Sequence, residues 1–132
     1  MGQRPNKSRL PQDSAMAFAR RIRGSPRKMN LITQMIRGKP VEEALTKLTF
    51  CPRRLSNEVK RVLQSAIANA QNNHDLDVDR LKVVEANVGK TLVISRFRAR
   101  ARGRGARIHK PVCNLRVIVQ EQTAPTKDTD QK

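Results

Sequence analysis

Aromatic residues are nearly missing from this sequence: 132 positions hold no Trp, no Tyr and only Phe18, Phe50 and Phe97. That scarcity excludes a protein that reads a run of single-stranded bases by stacking each on a sheet of Phe, Tyr or Trp. Cysteine is as rare. Cys51 and Cys113 stand 62 positions apart without companion thiols, which excludes a disulfide framework and a zinc knuckle and leaves both as small apolar residues of a reducing compartment. No run of about 18 apolar residues is present to cross a bilayer. The N-terminus MGQRPNKSRLPQD has no apolar stretch of the secretory kind, and Asn6 stands where a myristoylation motif needs Ser or Thr. Together these gaps predict an untargeted cytoplasmic protein without a membrane partner.

Acidic residues are the third scarcity. Lys and Arg number 28 against 11 Asp and Glu, for a formal charge of +17 and a pI near 11.5, so a polyanion is the expected partner, bound through phosphate and shape. The length suits one domain with one core. Charge concentrates in residues 96–110, where Arg96, Arg98, Arg100, Arg102, Arg104, Arg107 and Lys110 meet no acidic residue. Arginine outnumbers lysine six to one there, and the planar guanidinium suits bidentate phosphate contact. The ends differ: residues 1–13, basic, and 121–132, polar and nearly neutral, carry too little apolar surface to fold and are expected to be disordered. Residues 14–120 remain as the single domain.

Within it the periodicity changes twice. MAFARRI alternates and predicts a first strand with Met16, Phe18 and Ile22 on one face and Ala17, Ala19, Arg21 and Arg23 on the other. Ser25-Pro26 then supplies a helix cap and first turn, and Met29, Ile32, Met35 and Ile36 make an apolar stripe, widened by Leu31, before Gly38 and Pro40. Val41, Ala44, Leu45 and Leu48 repeat the helical spacing, with Glu42 and Glu43 in the first turn, where the helix dipole favours them. A third, longest helix begins near Pro52 and carries Leu55, Val59, Val62, Leu63, Ala66, Ile67 and Ala70. RLKVVEANVGKTLVI and VCNLRVIV return to strand, the latter with Cys113, Leu115, Val117 and Val119 on one face.

The arginine-rich stretch lies between those two strands, so it is predicted to be a hairpin arm, about 90–115, with Gly103 and Gly105 supplying positive φ at the turn. From Ile94 to Asn114 each leg spans about ten residues, a reach on the order of 30 Å. Arginine at every second position places its charge along one edge. With little apolar support, such an arm is expected to gain order from a polyanion.

Nothing in the sequence assembles a nucleophile, a base and an orienting group. His74 and His109 stand apart from any ligand set, and Asp75, Asp77 and Asp79 lack the Gly and distal Glu of a calcium loop. No enzyme, cofactor or metal is expected.

SPRKMNLITQMIRGKPVEEAL, VKRVLQSAIANA, and RARGR at 100–104 followed after nine residues by NLRVIV together resemble the bacterial large-subunit ribosomal protein twenty-two family, over roughly residues 14–121. The resemblance implies an α+β fold: three helices packed on a small three-stranded antiparallel sheet, with strands two and three extended into a long basic β-hairpin. It also implies a structural constituent of the large subunit that binds rRNA and assists its assembly, in the cytoplasmic ribosome. The hairpin tip, Arg96, Phe97, Arg98, Ala99, Arg100, Ala101, Arg102, Gly103 and Arg104, would then join the wall of the nascent-peptide exit tunnel. The rRNA-binding positions expected are Arg20, Arg21, Arg23, Arg27, Lys28, Lys90, Arg96, Arg98, Arg100, Arg102, Arg104, Arg107 and Lys110. Partners would be rRNA, neighbouring large-subunit proteins and the nascent peptide, without homo-oligomerisation. A DNA-bending protein with basic hairpin arms is the rival reading. It calls for an obligate dimer and an apolar wedge at the tip, where this sequence offers Gly and Ala.

Overall fold

The structure is a computed structural model and describes residues 10–122; most of the two segments expected to be disordered lies outside the described residues. Strand β1 (Ser14–Arg23) leads to helices α1 (Pro26–Ile36), α2 (Val41–Phe50) and α3 (Leu55–His74). A short 3-10 turn then enters strands β2 (Leu81–Ala99) and β3 (Gly105–Glu121). Both strand pairings are antiparallel, in the order β1-β3-β2. The expected α+β architecture, with two strands drawn out into a hairpin, is what forms.

The helices cover one face of the sheet. The central strand β3 buries Cys113, Leu115, Val117 and Val119 beneath them, and α3 lies against β1 and β3 while α1 lies against β2. On α3 the expected stripe is buried at Leu55, Val59, Leu63, Ala66 and Ala70, with Val62 and Ile67 at its margin. Burial pushes the Cys113 thiol above its ordinary pKa, and its Sγ sits 3.4 Å from the Ile22 carbonyl oxygen.

On β1 the inward face differs from the one the alternation predicts. Ala15 and Ala17 are buried while Met16 and Phe18 are 39% and 49% exposed. The cause is a β-bulge between Ala19 and Ile22, which inserts an unpaired residue and reverses the parity of the strand. Ile22 therefore points inward together with Ala15 and Ala17, although their spacing puts them on opposite faces of a regular strand. Small residues on β1 admit the close approach of α3, whose Ala66 and Ala70 are fully buried.

The α1 stripe also departs from expectation. Met29, Ile32 and Ile36 are buried as predicted, but Leu31 and Met35 are exposed and Thr33 takes the core position. Thr33 can do so because its hydroxyl donates to the Asn30 carbonyl oxygen at 3.1 Å within the same turn, leaving no unsatisfied polar atom.

Two bulges meet where the arm begins. The β1 bulge and a second on β2, between Lys90 and Leu92, both face Cys113 of β3. Thr91 Oγ1 donates to the Arg20 carbonyl oxygen at 3.3 Å, joining the two outer strands across the central one. At the other end of the sheet, Asp77 and Asp79 lie at the 3-10 turn that enters β2, where Asp77 pairs with Arg80, and Asp13 and Glu121 meet beside the start of β1 and the end of β3. There the Glu121 N–H donates to the Asp13 carbonyl oxygen at 3.0 Å. Acid thus lies at one end of the strands and the arginine arm at the other.

Candidate nucleic-acid interface

β1 pairs with β3 only as far as Val112. Beyond it β2 and β3 run on alone through seven register pairs, from Val93↔Pro111 to Ala99↔Gly105. The free ribbon is therefore about 20 Å long, shorter than the reach taken from leg length alone, because residues 100–104 form the turn and β1 flanks β3 from Val112 onward.

Register assigns the faces. Arg96 pairs with Ile108 and Arg98 with Ala106 on one face, while Phe97 pairs with Arg107 and Ser95 with His109 on the other. The single arginine edge is thus confined to Arg96 and Arg98. Arg100, Arg102 and Arg104 sit in the turn, where the Arg100 N–H donates to the Arg104 carbonyl oxygen at 2.8 Å. The turn's positive-φ residues are Arg102 at 60° and Gly103 at 68°. Gly105, expected to share that role, lies in β3 paired with Ala99.

Arg96, Arg98, Arg100, Arg102, Arg104, Arg107 and Lys110 are all exposed. Among the described residues none of them forms an ion pair; the five pairs involve Lys39, Lys47, Arg61, Arg80 and Arg116. Charge held together without internal neutralisation is a surface prepared for an external anion.

The body extends this surface. Arg23, Lys28, Arg53, Arg54 and Lys110, with His109 and Pro111, line a cleft of about 930 Å³ between the start of α1, the α2–α3 connection and the arm root. Arg54 is fixed there by Nη2 donating to the Arg23 carbonyl oxygen at 3.0 Å. A second concavity beside it is lined by Arg27, Lys90, Ser95 and His109. The first turn of α1 carries Arg27 and Lys28 and no acidic residue, so its amide dipoles and its side chains have the same sign. Of the residues singled out by sequence, the fold gathers Arg23, Arg27, Lys28, Lys90 and Lys110 around the arm root. Arg20 and Arg21 are exposed at the β1 bulge and line neither concavity. Arg53 and Arg54 escaped the sequence reading; their only signal was a basic pair after Pro52, where the chain must turn into α3.

The sequence model of the family described as ribosomal protein L22p/L17e matches residues 17–120. The chain belongs to that family. The large ribosomal subunit protein uL22 of Rhodospirillum centenum is 61% identical over 122 residues, covering 92% of this chain and 92% of that protein. Its counterpart in Methylobacterium radiotolerans is 59% identical over 121 residues, 92% of this chain and 94% of the relative. That of Maricaulis maris is 57% identical over 121 residues, 92% and 96%. A member of the L22p/L17e family is a structural, non-catalytic protein of the large subunit in the cytoplasmic ribosome. The DNA-bending reading falls with that assignment.

Proposed function

We propose that this protein holds large-subunit rRNA against two continuous surfaces, the arginine arm and the basic concavities at its root, and so assists the folding and assembly of that RNA. The observation that carries the reading is the unneutralised run from Arg96 to Lys110, projected beyond the body on a ribbon with cations on both faces and at its tip. A ribbon of this kind enters RNA rather than lying on it, because contacts on several sides at once are what a two-faced distribution of charge satisfies. Arg20 and Arg21 add phosphate contacts at the edge of β1. The tip, Arg96 through Arg104, contributes to the wall of the nascent-peptide exit tunnel, where Ala99, Ala101 and Gly103 leave room for a passing chain. rRNA, neighbouring large-subunit proteins and the nascent peptide are the partners, and one copy acts alone.

Sedimentation tests this reading. The native protein is expected to migrate with large subunits through high-salt gradients; migration as free protein would refute it. Replacing residues 96–104 with a Gly-Ser turn is expected to leave the body folded and weaken rRNA binding, and unchanged affinity would show that the arm is not the contact.

A further inference from the structure

The chain's scarce aromatic residues include one in an unusual setting. Phe97 is 77% exposed, near the end of an arm with no core for it to join. Its ring lies across Gly105: a Cβ at that position would fall on Cε2 and Cζ of the ring. The backbone at Gly105 is not left-handed, so the turn does not require glycine there, but the ring does. The Cε2–Cζ edge of the ring rests against the β3 backbone at Gly105, and the rest of the side chain is exposed. Arg107 is its register partner, and Arg96 and Arg98 flank it in sequence.

We propose that Phe97 and Gly105 form a shelf on which a single unpaired nucleobase stacks, an inference that rests on the RNA-binding reading above. Three phenylalanines cannot read a run of bases, but one seated ring can take one base. An aromatic ring offers its face to any base without selecting among them. The occupant is a nucleobase rather than a peptide side chain because a base arrives joined to phosphate, and Arg107, the register partner of Phe97 on the same face of the ribbon, offers that phosphate a cation. A ring serving only to cover a strand glycine binds no base.

The test uses the full chain. Phe97→Trp introduces its only tryptophan, a reporter confined to the shelf. Short oligoadenylate and an abasic ribose-phosphate strand of equal length are titrated while binding is followed by anisotropy. Oligoadenylate is expected to quench the tryptophan and the abasic strand to bind without quenching. Phe97→Leu, and Gly105→Ala, which pushes the ring off its seat, are each expected to weaken oligoadenylate binding by roughly five- to a hundredfold and leave abasic binding unchanged. If both strands bind and neither quenches, or both quench equally, the shelf is refuted while the RNA-binding reading stands. If neither strand binds, both readings fall. Quenching by a phenylalanine-bearing acidic peptide, with none by oligoadenylate, assigns the ring to protein and overturns the proposal.

Discussion

Arg37 at the end of α1 reaches across to β2, where its Nε and Nη2 donate to the Ala86 carbonyl oxygen at 2.9 and 2.7 Å. Nη2 also donates to Asn30 Oδ1 at 2.8 Å. In a protein so basic, this cation is engaged in holding a helix to the sheet. Arg37→Met, which keeps the length and removes the donors, is expected to lower stability by about 1.5–3 kcal/mol. Urea unfolding measures it. The salt dependence of RNA binding should not change, because Arg37 is not part of the basic surface.

Glu43 accepts from Lys47 Nζ at 2.8 Å and from Lys39 Nζ at 2.9 Å. The Lys47 hydrogen bond, followed by that from Lys39, lowers its pKa to about 2. A carboxylate whose folded pKa lies below its unfolded value, about 4.3, contributes stability above the unfolded pKa and loses it as pH falls through the folded one. Wild type is therefore expected to melt above Glu43→Gln at neutral pH, with the difference vanishing between about pH 4.5 and 2. Thermal melts across that range check it. Because Glu43 is exposed and both lysines are partly exposed, molar salt should shrink the neutral-pH difference.

At the arm's turn Arg102 adopts φ 60°, a conformation that costs a side-chain-bearing residue about 1–2 kcal/mol and glycine little. Arg102→Gly is expected to slow hydrogen exchange at the Arg100 amide by roughly fivefold or more, and to reduce the RNA salt slope by no more than one phosphate's share, about 0.9. Faster exchange would mean that the arginine side chain itself holds the turn.

The helices, the strand pair and the arm were legible because each rests on local pattern. Ser25-Pro26 starts α1, Gly38 follows its end with φ 71°, and α3 keeps its stripe from Leu55 to Ala70, about four turns. The inward face of β1 was not legible. Met16 and Phe18 outweigh Ala15 and Ala17 in hydrophobicity, and the bulge that turns them outward is fixed by pairing with β3 nearly a hundred residues later in the chain. Arg37 was equally opaque: in sequence it matches the arginines of the arm, and only the nearness of Ala86 sets it apart. Arg53 and Arg54 join the candidate interface through tertiary proximity to Arg23 and Lys110, which no local spacing encodes.

The most direct test of the arm as a phosphate-binding surface is the slope of log affinity against log salt concentration for large-subunit rRNA. It is compared between wild type and a variant with Gln at Arg96, Arg98, Arg100, Arg102 and Arg104. Every arginine–phosphate pair removed should flatten the slope by about 0.7–0.9, so a combined reduction of up to about 4.5 is expected while the body stays folded. An unchanged slope would contradict the claim that these arginines meet RNA.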